Sequence, residues 1–345
     1  MKVSKSGRNG SFQLATAARL VAALVVIVLV AACAREGGGA PSPGAPNIKP
    51  LKLAFITNNA ADYWTIARKG CEQAERDLKT VTVRFMIPSD ASAAEQKRIV
   101  DDLLASGIDG LAISPIDPAN QTPMIDQAAS SVPVITQDSD APLSQRIAYV
   151  GTDNVAAGQL AGEQLKEALP GGGDVMVFVG KADAQNAQER LTGLRQAIAG
   201  TKINILDVLT DNTDRVRAKA NVVETLVKHP NIAGLVGLWS YNGPAIVNAV
   251  EQSSRSGTVK IVAFDEEDET IAGIRSGVIF ATVVQQPFEI GRQSITVLAA
   301  TLRGDTSAIP ATKRIIIPAR VVRKESVDAF AKELDVRRGR TSKVP

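Results

Sequence analysis

The stretch "YVGTDNVAAGQLAG", Tyr149–Gly162, followed by "LPGGGDVMVFVG", Leu169–Gly180, decides how many sheets this chain builds. Four β-α units precede it, with strand-like runs "LKLAFIT", "VTVRFMI", "GLAISP" and "VPVITQD"; "AYVGT" then closes the series. After it the pattern restarts with "DVMVFVG", "INILDVLT", "GLVGLW", "VKIVAFD", "FATVVQQ" and "IIIPARVV". Helix-length stretches with a period near 3.6, such as "YWTIARKGCEQAERDLK" and "NAQERLTGLRQAIAG", separate most of these runs. Continuous apolar strands alternating with helices indicate parallel sheets covered on both faces. Eleven such runs are too many for one small open sheet, and the restart after Gly162 favours two sheets over a closed barrel. The Gly171–Gly173 triplet precedes a strand instead of following one, and no Gly-Lys-Ser/Thr comes after it. It reads as a helix stop and turn, not a phosphate loop.

The first 33 residues read as a targeting segment. Basic residues Lys2, Lys5, Arg8 and Arg19 precede the uncharged run "LVAALVVIVLVAA", Leu20–Ala32, and Cys33 follows. That is the order of a secretory signal peptide, and the run is short of the roughly 20 residues a bilayer span needs. "VAAC" also resembles a bacterial lipobox, which makes Cys33 the expected lipidation site; ordinary cleavage and an uncleaved anchor are the alternatives. Residues 34–50, rich in Gly, Pro and Ala, then read as a flexible linker. With Cys33 assigned to the anchor, Cys71 stands alone, so no disulfide or CxxC metal site is expected.

Several chemistries lack their residues. The formal charge is +3 in 345 residues, and no basic stripe with interleaved aromatics occurs, which argues against nucleic-acid binding. His229 is the single histidine and sits at a helix end, so no Ser-His-Asp, Cys-His or zinc arrangement can be assembled around a second one. No cofactor is expected. Two carboxylates would suffice for a glycosidase, but these absences favour binding without reaction.

In open α/β sheets, ligands lie outside the carboxyl ends of the strands. Tyr63 and Trp64 follow the first strand, Asp138 and Asp140 the fourth; Asn186 and Arg190 follow "VMVFVG", one helical turn apart. Trp239, Tyr241 and Asn242 follow "GLVGL", Asp265 follows "VKIVAF", and Gln285 ends "ATVVQ". The chain has three tyrosines and two tryptophans, and all but Tyr149 fall in two of these loops. Aromatic faces combined with carboxylates, a guanidinium and amides suit a sugar, whose flat faces lie on rings and whose hydroxyls need fixed donors and acceptors. Other readings stay open. Asp62 serves equally as a helix N-cap or a ligand contact. Glu266, Glu267, Asp268 and Glu269 read as a first helical turn complementing the helix dipole. Asp153 and Asn154 read as helix caps, and Cys71 as a core residue.

The segments "VPVITQDSD", "YVGTDNVAAGQLAG", "AQNAQERLTGL", "WSYNGPAIVNAV", "KIVAFDEED" and "ATVVQQPFEIG" together resemble the type I periplasmic binding proteins of the ribose/galactose class. The resemblance runs from Leu51 to about Phe330, and "YW" with "YNGPA" is nearest to a subgroup that includes a thermophile-type glucose-binding protein. It implies an α/β fold of two doubly wound parallel-sheet lobes joined by a hinge with three crossings. The N-terminal lobe would take 51–153 plus 286–311 and the C-terminal lobe 154–285 plus 312–332, leaving 333–345 as a basic tail. It further implies Tyr63 and Trp64 stacking from one lobe, Asp138 at the cleft edge, Arg190 and Asp265 from the other lobe, and Gln285 at the hinge; Asn186, a candidate contact by its place after the strand, is also at a helix start, where Asn commonly caps. In "WSYNGP" the register is ambiguous by one residue, so Tyr241 and Asn242 share the family's polar position, with Trp239 beside them. Ser139 stands where ribose binders carry Arg, and Ala61-Asp62 where they carry Asn-Pro; both favour a hexose over ribose. The expected function is a monomeric solute receptor feeding the permease of an ABC importer, held to a membrane of the cell envelope by its lipid. The alternative is a receptor of the same fold that presents a sugar or autoinducer-type signal to a membrane sensor.

Overall fold

The computed structural model describes residues 49–340, so the signal peptide, Cys33 and most of the linker lie outside the described residues. Strands and helices alternate as β1 (Leu51–Ile56), α1 (Tyr63–Leu78), β2 (Val81–Met86), α2 (Ala93–Ala105), β3 (Gly110–Ile113), α3 (Pro118–Ala129), β4 (Val134–Gln137) and β5 (Ala148–Gly151). There follow α4 (Asn154–Ala168), β6 (Gly173–Val179), α5 (Gln185–Ile198), β7 (Ile203–Thr210), α6 (Arg215–Lys228), β8 (Gly234–Gly237), α7 (Asn242–Gln252), β9 (Lys260–Phe264) and α8 (Asp268–Ser276). The last elements are β10 (Ala281–Val284), α9 (Pro287–Leu302), β11 (Arg314–Ile316), β12 (Arg320–Val322) and α10 (Val327–Arg338).

These form two six-stranded sheets, ordered β11-β5-β4-β3-β1-β2 and β12-β10-β9-β8-β6-β7. Every pairing is parallel except β10 with β12. The apolar runs are continuous because both faces of each strand are covered. Leu53 and Phe55 enter one cluster with α1 and α9, while Ala54 and Ile56 enter the opposite cluster with α2 and α3. In the second sheet Val175, Val177 and Val179 pack on α4 and α5, and Met176 and Phe178 on the other face. Fully burying each such side chain contributes about 1.5–3 kcal/mol.

The chain passes between the sheets three times: after β5, after β10, and between β11 and β12. "IIIPARVV", read as one strand, is two strands in two sheets. Its Pro318 has no N–H to continue a ladder, and the chain crosses there, with Ile317 N–H donating to the Gly151 carbonyl at 2.8 Å. Gln286 Nε2 donates to the Pro318 carbonyl at 2.9 Å, tying two crossings together. β11 pairs with β5, so residues 314–316 belong to the first sheet and not, as the expected boundary at 311 had it, to the second. Residues 333–338, expected as tail, are the end of α10, whose Val327, Phe330, Ala331 and Leu334 enter the second sheet's core. Ile66 of α1 and Phe288 of α9 reach into that same cluster from the first sheet's side.

In each half one helix pair meets through glycines at matching places. A Cβ on Gly158 of α4 would lie 2.0 Å from the Arg190 carbonyl oxygen of α5. One on Gly291, the corresponding fifth residue of α9, would lie 2.2 Å from the Ala67 carbonyl oxygen of α1. Only hydrogen at these positions permits such backbone approach.

Candidate ligand cleft

The carboxyl ends of the two sheets face each other across a cleft of about 380 Å³. From the first sheet come Asn58 and Asn59 after β1, Tyr63 and Trp64 at the start of α1, and Asp138 after β4. From the second come Asn186 and Arg190 of α5, Trp239, Ser240 and Tyr241 after β8, Asp265 after β9, and Gln285 after β10. Of the residues expected to hold ligand, the cleft gathers Tyr63, Trp64, Asp138, Asn186, Arg190, Trp239, Tyr241, Asp265 and Gln285.

Asn242 is absent from the wall. Its Oδ1 accepts the Trp239 backbone N–H at 3.0 Å and its Nδ2 donates to Asp211 at 3.2 Å, so it braces the loop. Asp211 also receives the Tyr241 hydroxyl, so that residue presents its ring and not its OH to the cleft. Trp239 lies so close over Gly180 that a Cβ there would meet its ring at 2.1 Å. Trp64 is only 2 % exposed; its indole N–H donates to Asn59 Oδ1 at 3.1 Å and its ring packs edge-on against Phe55 and Tyr63. Much of this ring is therefore core, and Tyr63 is the aromatic whose hydroxyl is left unpaired.

Arg190 is the cation of the cleft wall. Its Nε donates to Asn154 Oδ1 at 3.0 Å, its Nη1 to the Leu238 carbonyl at 2.7 Å, and its guanidinium stacks 4.6 Å from the Phe264 ring centroid. Asn154, read as a cap, instead orients this arginine, while Asp153 caps α4 through Ala156 N–H at 3.0 Å. Asp62 sits at the N-cap position of α1 but makes no side-chain cap bond, and it does not line the cleft. Asp268 and Glu269 occupy the first turn of α8 as expected, whereas Glu266 and Glu267 point inward. Glu267 is held by both terminal nitrogens of Arg215 at 3.1 Å. His229 is the C-cap of α6, Cys71 is a buried free thiol, and Asp140 pairs with Arg146 at 2.7 Å away from the wall.

Burial pushes the Asp138 carboxyl up to about 6 against the pull of Arg190 and the Ser114 hydroxyl. Burial likewise raises Asp265, opposed by Arg190 and by Gln285, whose Nε2 donates to Asp265 Oδ1 at 3.1 Å. Buried polar atoms without a partner concentrate here: Asn58 Oδ1, Tyr63 OH, Asn186 Oδ1, Arg190 Nη2, Trp239 Nε1 and Gln285 Oε1 all belong to cleft-lining residues. Leaving such a group unpaired costs about 1–3 kcal/mol each, so the wall is built to be completed by a ligand carrying both donors and acceptors. Among the described residues, no group of three His, Cys, Asp or Glu side chains is placed to hold a metal ion.

Sequence reasoning missed Asn58, Asn59, Ser240 and Asp211. The two asparagines stood in plain view after the first strand; nothing local marks Asp211, whose partners come from a loop about 30 residues away.

The profile of the periplasmic binding protein domain matches residues 53–306. The ribose import binding protein of Escherichia coli is 25% identical over 256 residues, spanning 73% of this chain and 85% of that protein. GanP, a glucose-galactose binding protein from Geobacillus stearothermophilus, superposes with a TM-score of 0.75 at 30% identity, covering 81% of this chain and 99% of GanP. XylFII in its complex with LytSN gives a TM-score of 0.74 at 29% identity, covering 81% and 99%. With two parallel sheets, three crossings and the cleft between their carboxyl ends, the chain belongs to the periplasmic binding protein family, as a type I member of the ribose/galactose class.

Proposed function

We propose that the protein is the solute receptor of an ABC importer and captures a monosaccharide, a hexose in preference to a pentose, between its two lobes. The observation that carries this is the set of unpaired buried donors and acceptors beside aromatic rings on both walls of one cleft. A pyranose offers hydroxyls that both donate and accept, and apolar faces for Tyr63, Trp239 and Tyr241. The ribose and glucose-galactose binding relatives support the same ligand class. Ala61 lines the inner wall, and its small side chain leaves room there for a hexose. Sugar touching both walls stabilises the closed state, and that closed shape is what the permease reads. In this reading the two lobes are the two sheets with their covering helices, β11 in the first and β12 in the second. The protein performs no reaction on its ligand.

Titration of tryptophan fluorescence against a monosaccharide panel tests the reading, since both tryptophans border the cleft. A large change with one hexose is expected; no change with any monosaccharide, in folded ligand-free protein, would sink it. Attachment through lipidated Cys33 in the cell envelope is tested by mass spectrometry of the amino-terminal peptide and by release of Cys33→Ala from membranes. Light scattering tests the monomer. A sensory role has one specific support, the similarity to XylFII in complex with LytSN. Sugar uptake lost on deletion of the gene favours import; unchanged uptake with altered sugar-responsive expression favours sensing.

A further inference from the structure

Ser114 does not line the cleft, yet it joins two residues that do. It is the first residue beyond β3, and β3 lies between β4 and β1 in the first sheet. The strand ends on either side carry Asp138 and Asn58, both in the cleft wall. The Ser114 side chain is fully buried, and its Oγ donates its one proton to Asp138 Oδ2 at 3.0 Å. The same Oγ accepts from Asn58 Nδ2 at 3.0 Å. The second amide proton of Asn58 goes to Asp138 Oδ2 at 3.3 Å, which closes a ring of three side chains.

The position of the hydroxyl is fixed from behind. Ser114 N–H donates to the Ile56 carbonyl at 3.0 Å, and the Ser114 carbonyl accepts from Gln96 Nε2 at 2.8 Å. That Nε2 also donates to the Thr57 carbonyl at 2.8 Å, so one buried amide of α2 ties the ends of β1 and β3 together. Gln96 Oε1 in turn accepts from Ile116 N–H at 3.2 Å and from Gln121 Nε2 at 2.8 Å. A buried polar network satisfied in this way is rigid.

The ring decides what a ligand meets at this corner. With both amide protons spent, Asn58 is left with Oδ1, which is buried and unpaired. Turning the amide over would set Oδ1 against a carboxylate oxygen and a hydroxyl oxygen whose proton is already given, so one orientation survives. Asp138 spends Oδ2 on the ring and keeps Oδ1 outside it. We infer that Ser114 is a positioning residue for binding: its hydroxyl holds Asp138 and Asn58 as a corner that only accepts, so the ligand must place hydroxyl donors there. The demand on the ligand rests on the proposed sugar-binding reading. An ether or ring oxygen, which only accepts, is refused at this corner.

The test joins a measurement without ligand to one with sugar, both on the full-length protein in a detergent without a sugar headgroup. Beyond its burial, the Asp138 side chain faces Arg190 of α5, Asp265 beyond β9, Tyr63 of α1 and Tyr149 of β5. Its titration in ligand-free protein is followed by NMR of carbon-labelled aspartate, with Asp138→Asn identifying the signal. Because the Ser114 hydroxyl bonds the charged form, Ser114→Ala should raise that titration by about half a pH unit or more. Calorimetry with D-glucose, D-galactose and D-allose then follows Kd between about pH 5 and pH 8. Ser114→Ala should weaken binding about tenfold at the alkaline end. The loss should grow toward acid, since the variant gives up its charged acceptor at a higher pH. Ser114→Cys, which keeps the bulk but donates weakly, should follow Ala and not wild type. Thermal scans establish that both variants are folded. An unmoved Asp138 titration, a loss equal at every pH, or a Cys variant that matches wild type overturns the inference. If none of the three hexoses binds wild type, the hexose reading fails and the demand on the ligand with it; the titration still decides whether Ser114 holds Asp138.

Discussion

Asp138 and Asp265 occupy the same position in the two halves of the molecule. Each is the first residue beyond the third strand of its sheet, counted from the hinge edge, and each adopts a left-handed backbone, with φ of 60° and 63°. Each donates its backbone N–H to the neighbouring strand, to Val150 at 3.2 Å and Val283 at 2.9 Å, and each is buried and faces the charge of Arg190. One local conformation, used twice, aims a carboxylate into the cleft from either side.

Asp138 makes the ligand-free protein pH-sensitive. Its carboxyl titrates near 6 when folded, against 3.8 for an unperturbed Asp. Below the lower value both states are protonated, and between the two the folded protein keeps a proton that the unfolded chain has released. Stability therefore falls as pH rises through that window, by about 3 kcal/mol at full expression. Asp138→Asn should flatten this decline in a pH series of melting temperatures. Sugar affinity should run the opposite way, weakening below about pH 6 as the acceptor is lost, and the same variant should bind sugar poorly at every pH.

Arg190→Met should abolish binding. The substitution removes the cation opposing the burial of Asp138 and Asp265, and losing one partner of such a buried charge set costs about 3–5 kcal/mol, more than a hundredfold in Kd. Arg190→Lys keeps the charge but cannot hold Asn154, the Leu238 carbonyl and a ligand in one plane. Calorimetry should place it between wild type and Met; affinity equal to wild type would remove Arg190 from the site.

Gly158→Ala should lower the melting temperature and weaken binding together. Its Cβ would stand 2.0 Å from the Arg190 carbonyl oxygen, so α5 must move and carry Arg190 with it. Overpacking of this kind costs about 1–3 kcal/mol. Gly257→Ala, where nothing lies within 4 Å of the added Cβ but φ is +83°, serves as a control that strains the backbone far from the cleft wall. It should reduce stability alone.

Asp211→Ala should loosen the aromatic loop. It strips the acceptor from both the Tyr241 hydroxyl and Asn242 Nδ2, leaving two buried donors unpaired at about 1–3 kcal/mol each. A red-shifted, more quenchable Trp239 emission and a higher Kd are expected. Unchanged emission would mean the loop is held by Gly180 packing alone.

The alternation of apolar runs and helices was sufficient to specify parallel sheets, because a strand buried on both faces must be apolar throughout, as Leu53–Ile56 is. The restart after Gly162 told of two of them, and the rule that ligands gather beyond strand ends picked out Tyr63, Asp138, Arg190 and Asp265 before any contact was known. Only the tertiary structure split "IIIPARVV" between sheets, since which neighbour a strand pairs with depends on chain far away in sequence. It alone turned Asn242 away from the cleft, made Asn154 a support for Arg190, and drew Glu266 and Glu267 inward. A polar side chain's type states what it can bond, but burial and distance to partners elsewhere in the fold select which of those bonds it makes.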